Sequence, residues 1–379
     1  MKISTITAYP ISFPVSSAGG VRLGIGRTVK RDTVLVEVQT EGGLTGWGEA
    51  HHGRAPGTVA HLINTTLAQL VKGMDASDVN GVWSRMYKMQ LSSHGMGAAA
   101  AIGMSGIDMA LWDIRAKAVG WPLYKLLGGS AKTIPAYAGG ISLGYQPPQD
   151  LVAEAGALVE QGYRALKLRV GDTWTSDVAR VRAVREALGD DVDLLVDANT
   201  NYRIEDVRRV MPAYDELNVG WLEEPFPPHD AATYIQAAAL GSTPLAAGEN
   251  HYTRFEFQRV VEDRAITILQ PDLSKTGGIT EGLRIAALGS AWKLPINPHT
   301  SATGLNMAAT VHFLASIDNG GYYEADVAKE NLFRDQLTSP GYELCERGCV
   351  RPLGLPGIGV EVDVEFIRAH PVIEGPGFV

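Results

Sequence analysis

The most constraining feature of this sequence is a series of short apolar runs that each end in a polar residue. Five of these polar residues are spaced about 23 to 27 positions apart: Asp197, Glu223, Glu249, Asp272 and His299. Lys167 and Arg169 precede the series, and Glu324 continues it. A (β/α)8 barrel uses roughly 30 residues for each βα unit and carries its catalytic groups at the carboxyl ends of the strands. The spacing therefore predicts an enzyme barrel with its active site at one end.

Strand and helix patterns alternate through the same part of the chain. The candidate strands are 134–141, 164–170, 193–197, 219–223, 244–248, 266–271, 294–298 and 320–324. Helical patterns lie between them, including 177–188, 204–214, 231–240, 254–262, 279–292 and 304–315. Parallel strands need such crossovers. Eight alternations favour a closed barrel over an open doubly wound sheet.

The chain is longer than one barrel requires. It has 379 residues, whereas a barrel takes about 250, so a second unit is expected. Residues 1–50 have the alternation and turns of a β-meander, and 59–127 have helical spacing with Ile107, Leu111, Ile114 and Ala118 on one face. We therefore predict an α/β protein with an α+β unit over 1–130, the barrel over 131–345 and a C-terminal segment over 346–379 that packs back on the first unit. Residues 15–28 are glycine-rich and form a candidate lid.

Composition excludes several classes of function. The formal net charge is −9, which disfavours nucleic-acid binding because that needs a basic surface. The sequence has neither an apolar stretch of about 20 residues nor a signal-peptide pattern at its start, so we expect a cytoplasmic enzyme. Cys345 and Cys349 are the two cysteines. A disulfide or a metal site is one interpretation, but we expect free thiols.

Three carboxylates predict a metal site. Asp197, Glu223 and Glu249 end consecutive candidate strands, so they converge at the barrel mouth and repel one another unless a cation neutralises them. An all-oxygen site suits Mg²⁺, and Asn199 and Asn250 are placed to support it. The alternative is that these carboxylates cap the following helices or lie on the surface. In Glu223-Glu224 the spacing selects Glu223 as the metal ligand. Glu224 is then expected to support the ligands without binding the metal itself.

Other polar residues predict acid–base chemistry. Lys167 and Arg169 are two positions apart and therefore share one face of a strand, although a solvated edge strand is an alternative. Asp272 and His299 end neighbouring strands, where a carboxylate can fix the imidazole tautomer. Glu324 is in phase on the eighth strand and could donate a hydrogen bond if protonated; a cap or salt bridge is the alternative. Lys275 is a weaker candidate.

The ordered motifs resemble those of the enolase superfamily, mandelate racemase subgroup. They are Lys-x-Arg, Val-Asp-Ala-Asn, Trp-Leu-Glu-Glu-Pro, Ala-Gly-Glu-Asn, Gln-Pro-Asp and Asn-Pro-His, together with Trp47-Gly-Glu49 and the helical segment 104–114. The resemblance covers essentially the whole chain. It implies that the first unit is a capping domain over the barrel. It also implies Mg²⁺ as the cofactor, since this family uses a Lys or His base with magnesium.

The resemblance implies a role for each candidate residue. The metal ligands fall on Asp197, Glu223 and Glu249, the His–Asp pair on His299 and Asp272, and the electrophilic acid on Glu324. The family's lysine pair falls on Lys167 and Arg169, so an arginine replaces the second base. Because a guanidinium is a poor base, this departure predicts proton abstraction by His299, with Lys167 and Arg169 holding charge.

The reaction implied is abstraction of the proton α to a carboxylate. Loop residues are polar, including Arg22, Arg27, His51, His52, Arg54 and His94, and they suit substrate hydroxyls or a distal carboxylate. We therefore expect a lyase that dehydrates an acid sugar. A racemase or epimerase, a cycloisomerase or other lyase, and a non-enzymatic barrel are the alternatives. The expected partners are a small-molecule acid sugar and further copies of the chain in a homo-oligomer, without nucleic acid or membrane.

Overall fold

Two sheets organise the protein, and the computed structural model describes residues 1–95, 97–300, 302–345 and 348–379 of it. The first sheet is antiparallel, with the strand order β1-β4-β5, and matches the predicted meander. The N-terminal strands are β1 (Ile3–Pro14), β2 (Arg22–Leu23), β3 (Gly26–Arg27), β4 (Lys30–Thr40) and β5 (Thr45–Ala50). Strands β2 and β3 form a small hairpin where the candidate lid was expected.

The helices that follow pack on this sheet. They are α1 (Pro56–Leu62), α2 (Ala68–Val71), α3 (Val79–Met86), α4 (Ser92–His94), α5 (Gly97–Ala118) and α6 (Leu123–Leu126), with π-helical turns at Ile63–Leu67 and Tyr87–Leu91. Helix α5 is buried nearly all round instead of on one face, and Ala118 at its end is exposed. A Cβ on Gly48 would lie 2.0 Å from the Gly106 carbonyl oxygen. Glycine at position 48 therefore lets β5 touch the helix directly.

The second sheet is a closed parallel barrel. Its elements are β6 (Ile134–Gly139), α7 (Pro148–Glu160), β7 (Ala165–Arg169), α8 (Trp174–Leu188), β8 (Asp193–Asp197), α9 (Ile204–Glu216), β9 (Val219–Glu223), α10 (Ala231–Ala237), β10 (Leu245–Ala247), α11 (Thr253–Asp263), β11 (Ile268–Leu269), α12 (Ile279–Ala291), α13 (Gly304–Leu314) and β12 (Tyr323–Asp326). Strands β6 to β11 pair in sequence order, and β12 pairs with β6.

The seventh strand is shorter than the sequence pattern predicts. Instead of a strand over 294–298, Ile296 alone bridges Leu269 on one side and Gly320 on the other. Pro295 and Pro298 flank this position and cannot donate to a ladder. The side chain of Asn297 replaces one ladder contact by accepting a hydrogen bond from Tyr322 N at 2.5 Å. The last barrel strand begins at Tyr323, later than the predicted 320.

An apolar layer fills the barrel below its mouth. It consists of Tyr137, Ala165, Leu195, Trp221 and Ala246. Because side chains alternate along a strand, the residues two positions after Ala165, Leu195 and Trp221 share the same inward face. Those residues are Lys167, Asp197 and Glu223. The predicted polar residues therefore lie directly above this apolar layer.

The C-terminal segment returns to the first domain. After β12 the chain forms α14 (Leu332–Asp335), β13 (Tyr342–Cys345), β14 (Cys349–Pro352), which pairs antiparallel with β6, and α15 (Val364–Ala369). Residues 354–362 form bends and turns with isolated bridges at Gly357 and Val362, and Leu123 N donates to Gly357 O at 2.8 Å. Cys345 and Cys349 are not joined by a disulfide bond.

The domain boundaries after 130 and 345 stay predictions, and position 346 lies outside the described residues. Among the described helices, none has the length and apolar character needed to cross a membrane.

Candidate active site

The ends of adjacent strands bring the predicted polar residues together. Arg169, Asp197 and Glu223 are register neighbours on β7, β8 and β9, and Glu249 follows β10 by two residues. Beyond the strand ends the backbone turns sharply, with Glu224 at a φ of 37°. This left-handed conformation is unfavourable for a residue with a side chain, so it marks a position that the surrounding structure constrains.

Lys167 is the most buried cation of the site. Its side chain has no exposed surface, and its Nζ lies 2.8 Å from Glu223, 2.9 Å from Glu324 and 3.6 Å from Asp197. Burial alone would lower the pKa of Lys167, but the neighbouring carboxylates outweigh it and raise that pKa above its ordinary value. Lys167 therefore holds a permanent positive charge among three carboxylates.

Arg169 lies above Lys167 on the same face of β7. It forms very short contacts with Asp197 and with the carbonyl oxygen of Gly140. Its Nε is buried and has no hydrogen-bond partner among the described residues. Burial opposes its charge, yet Asp197 and the other carboxylates raise the pKa of Arg169 above its ordinary value. Like Lys167, it remains protonated and cannot accept a proton.

Glu324 accepts hydrogen bonds instead of donating them. Gly140 N donates to Oε1 at 3.0 Å and Thr300 N donates to Oε2 at 3.3 Å, while Lys167 pairs with Oε1. Burial raises the pKa of Glu324, but the positive charges of Lys167 and His299 lower it by a larger amount, so the net shift is downward. This corrects the expectation of a protonated donor: the adjacent cations favour the ionised form.

His299 and Asp272 form a close pair on the opposite side of the mouth. His299 Nδ1 lies 2.6 Å from Asp272 Oδ2. Because an ionised carboxylate only accepts hydrogen bonds, this contact places the ring proton on Nδ1 and leaves Nε2 as the basic atom. Nε2 lies 3.1 Å from Glu249 Oε2, and the imidazole is 19% exposed.

The charge state of His299 depends on Glu249. Burial lowers the pKa of His299, but Glu249 and the bond to Asp272 together raise it to about 9. Glu249 is the largest of these raising influences. A cation that engaged Glu249 would therefore bring the pKa of His299 back towards the range of a base.

Further bonds hold Asp272 in place. Ser274 donates to Asp272 Oδ1 from both its backbone N and its Oγ, each at 2.7 Å. Asn306 Nδ2 donates to the same oxygen at 3.3 Å. These bonds leave Oδ2 directed at His299. The orientation of the imidazole therefore depends on Ser274 in the loop after β11 and on Asn306 in α13.

The donor set at the mouth fits a hard cation. Among the described residues, no three His, Cys, Asp or Glu side chains form a ready metal cluster, and Lys167, Arg169 and His299 are paired with the carboxylates. Glu224 is 2% exposed and bonded by the Asn250 amide at 2.8 and 3.1 Å.

Glu224 lacks a cationic partner. No described Lys, Arg or His nitrogen is within 4.0 Å of it. Burial and then Glu249 raise its pKa well above the ordinary value. A divalent cation with oxygen ligands would relieve this excess of negative charge.

A cleft of about 680 Å³ opens over these groups. Residues of both domains line it, including His51, His52, Arg54, Lys275, Tyr252 and Phe378. Of the loop residues proposed from sequence, His51, His52 and Arg54 reach the cleft, whereas Arg22, Arg27 and His94 are not among its lining residues. The C-terminal Phe378 reaches it because Val379 and Arg27 exchange backbone hydrogen bonds.

Sequence reasoning missed several residues of the cleft. Glu224 lines it, whereas Glu223, which pairs with Lys167, does not. Asp326, which pairs with Arg31 at 2.9 Å, also lines the cleft. Its position two residues after Glu324 on β12 is a signal that could have identified it. Lys275, a weak candidate, bonds Asn250 Oδ1 at 2.8 Å.

Two family models match the chain. The model described as "Enolase C-terminal domain-like" matches residues 150–366. The model described as "Mandelate racemase / muconate lactonizing enzyme, N-terminal domain" matches residues 6–128. Together they span most of the sequence.

Characterised relatives are similar over most of their length. An arabinonate dehydratase from Saccharolobus solfataricus is 32% identical over 87% of this chain and 88% of its own. A D-galactonate dehydratase from Variovorax paradoxus is 34% identical over 88% and 90%. A 3,6-anhydro-alpha-L-galactonate cycloisomerase from Streptomyces coelicolor is 32% identical over 88% and 90%. These names include both dehydration and isomerisation.

Solved structures show the same fold. A member of the enolase superfamily from Polaromonas sp. JS666 is 54% identical, with a TM-score of 0.98 over 100% of both chains. A racemase from Streptomyces coelicolor A3(2) with bound magnesium is 30% identical, with a TM-score of 0.88 over 98% of this chain and 100% of that one.

Proposed function

Because the chain belongs to the enolase superfamily and its mandelate racemase subgroup, we propose that it is a Mg²⁺-dependent lyase that dehydrates an acid sugar. The substrate would be an aldonate or aldarate, and the product a 2-keto-3-deoxy acid. The observation that carries this proposal is the difference between the two sides of the barrel mouth. His299 lines the cleft with its Nδ1 held by Asp272, and engagement of Glu249 by a cation would make its Nε2 a base, whereas Lys167 and Arg169 are held protonated by carboxylates.

In the proposed reaction His299 Nε2 removes the proton α to the substrate carboxylate. The electron pair of the C–H bond forms a carbon–carbon double bond as the β C–O bond breaks. His299 then returns the proton to the departing hydroxyl on the same face, so water leaves by syn elimination. The resulting enol tautomerises to the keto acid. Asp272 keeps the imidazole in the required tautomer throughout.

We assign the metal to Asp197, Glu223 and Glu249. Bound Mg²⁺ would supply positive charge that stabilises the negative charge developing on the substrate carboxylate. Lys167 and Arg169 would add fixed positive charge on the opposite side, and Glu324 would hold Lys167 in place. The magnesium in the Streptomyces racemase structure supports magnesium as the metal.

The test is a panel of mono- and diacid sugars incubated with the enzyme and Mg²⁺, with keto acid formation as the readout. At least one substrate should give a 2-keto-3-deoxy product that requires Mg²⁺. A panel that yields no keto acid would contradict the dehydratase proposal. The alternative is isomerisation without loss of water, as in a racemase, an epimerase or a cycloisomerase, and the cycloisomerase among the relatives supports it. An acidic substrate isomerised by the same enzyme would select that alternative.

We further propose a cytoplasmic homo-oligomer that acts on small molecules and binds neither nucleic acid nor membrane. Size-exclusion chromatography with light scattering would test the oligomeric state.

A further inference from the structure

A carboxyl of the capping domain is buried behind the acid–base pair. Glu49 lies on β5 and has no exposed surface. Its Oε1 accepts a 3.0 Å hydrogen bond from Thr33 Oγ, and its Oε2 accepts a very short one from Thr303 Oγ. Thr33 belongs to the same domain, whereas Thr303 belongs to the barrel. Glu49 therefore links the two domains through a fully buried polar contact, which is costly to leave unsatisfied.

Further hydrogen bonds connect Thr303 to Asp272. Thr303 caps helix α13, because its Oγ accepts hydrogen bonds from Leu305 N at 3.1 Å and Asn306 N at 3.4 Å. Asn306 is in the first turn of that helix, and its amide donates to Asp272 Oδ1. A chain of hydrogen bonds thus runs from Glu49 through Thr303 and Asn306 to the carboxylate that orients His299.

A second series of hydrogen bonds runs from the end of β5 to Asp272. His51, two residues after Glu49, donates its backbone N–H to Ser274 O at 3.0 Å. Ser274 in turn donates two hydrogen bonds to Asp272 Oδ1. Asn306 and Ser274 both donate to Asp272 Oδ1. Both are therefore linked by hydrogen bonds to residues at the end of β5. Misplacement of a catalytic group by about 1 Å can lower a rate about 100-fold.

We propose that Glu49 is a positioning residue, through which the capping domain sets the orientation of Asp272 and His299. This inference rests on the proposed role of His299 as the base. Glu49 itself does not line the cleft, so its effect on catalysis is transmitted through Thr303 and Asn306. The burial of Glu49 raises its pKa to about 7, despite the opposing hydrogen bond from Thr303. The carboxyl can therefore persist there with or without its charge.

The chain offers a matched control in Asp108. This residue is also a fully buried capping-domain carboxyl whose pKa burial raises to about 7, and it also bonds the start of a barrel helix, through Thr280 N at 2.9 Å. Its bond reaches α12 instead of a residue that holds Asp272. Asp108→Ala therefore removes a buried interdomain carboxyl but leaves in place the hydrogen bonds that connect Glu49 to Asp272 and His299.

The experiment compares Glu49→Ala, Glu49→Gln and Asp108→Ala. Glu49→Ala should lower kcat about 10- to 100-fold with KM changed less than about threefold, whereas Asp108→Ala should stay within about threefold of wild type. Glu49→Gln should restore most of the activity, because an amide can still accept from Thr303 while Thr33 rotates to accept. Equal losses in Glu49→Ala and Asp108→Ala would overturn the proposal.

A double-mutant cycle tests the route. If Glu49 acts through Asn306, the effects of Glu49→Ala and Asn306→Ala on kcat should be strongly non-additive. Fully additive effects would overturn the inference.

A substrate-free measurement separates this inference from the proposed reaction. Nitrogen-15 spectra of the histidine-labelled enzyme, recorded at a pH well above 9 so that the imidazole is neutral, and with His299→Asn to assign the signal, report the tautomer of His299. Glu49→Ala should mix the tautomers, and Asp108→Ala should not. An unchanged His299 tautomer in Glu49→Ala would refute positioning even if the enzyme is a dehydratase. A mixed tautomer would support it even if every acid sugar fails to react.

Discussion

On the β7 side of the barrel mouth Lys167 is completely buried and paired with three carboxylates, whereas on the opposite side His299 is 19% exposed and paired through Nδ1 with one. Both sides place a cationic or basic group on a strand end, yet their surroundings give them different chemistry. Several carboxylates around a buried amine fix its proton. The carboxylate on Nδ1 of the imidazole fixes its tautomer, and Nε2, which lies 3.1 Å from Glu249, becomes available as a base when a cation engages Glu249. The two sides are therefore suited to different roles: Lys167 holds a fixed positive charge, and His299 transfers a proton.

The largest effect should follow removal of the imidazole. His299→Asn should lower kcat by about 10⁴-fold, because it removes both the base and the acid of the proposed elimination. Exchange of the α-proton with deuterated solvent, followed by proton NMR, measures the same loss. His370→Asn is the control, since His370 bonds Phe366 O away from the cleft. Appreciable exchange in His299→Asn would move proton transfer to the β7 side and break the comparison.

Removal of the buried amine should act on stability. Lys167→Met leaves Asp197, Glu223 and Glu324 without their shared cation, and breaking a buried ion pair typically costs about 3–5 kcal/mol. Urea unfolding should show this loss without divalent ions and a smaller loss with Mg²⁺. Arg182→Met, which breaks an exposed pair with Glu216, should change little. A Lys167→Met protein of unchanged stability without Mg²⁺ would contradict the account of the β7 side.

The dependence of stability on pH should distinguish the two sides. The folded pKa of His299 is about 9 against an ordinary value of 6.5, so its contribution to stability is complete below pH 6.5 and is lost as the pH rises towards 9. Without divalent ions the free energy of unfolding should therefore fall over this interval, by at most about 3 kcal/mol. His299→Asn should remove the slope, while Lys167→Met should keep it. A slope that persists in His299→Asn would assign it to another group.

A smaller effect is expected at Arg169. Arg169→Lys replaces a permanently charged group that contacts both Asp197 and the Gly140 carbonyl oxygen with an amine whose pKa can shift. We expect kcat for dehydration to fall about 10-fold, since fixed charge opposite the base is less well placed. The same variant should begin to exchange the α-proton of the epimeric substrate slowly. Dehydration at the wild-type rate would show that the guanidinium has no special role.

Much of the fold and of the site could be predicted because barrels impose a period on the sequence. The spacing of Asp197, Glu223 and Glu249 follows from one strand end per βα unit, and the two-residue step between Lys167 and Arg169 follows from strand alternation. The strand at 294–298 could not be predicted correctly, because Pro295 and Pro298 reduce its ladder to one bridge at Ile296.

Other features of the site depend on contacts between distant parts of the chain. Spacing assigned Glu223 to the mouth, but whether it or Glu224 faces the cleft depends on the backbone turn at Glu224 and on the ion pair between Glu223 and Lys167. Glu49 and Thr303 lie 254 positions apart, and no local pattern connects them. The protonation of Glu324 likewise depends on which cations the folded chain brings beside it.

The central claim is that protons move on one side of the barrel mouth only. The direct measurement is solvent deuterium incorporation at the α-carbon, by proton NMR, for a pair of acid sugars that differ only in configuration at that carbon, with Mg²⁺ present. Wild type should exchange one epimer and leave the other unlabelled, and His299→Asn should label neither. Comparable exchange of both epimers by wild type would show that Lys167 or Arg169 also accepts a proton, and would contradict the account.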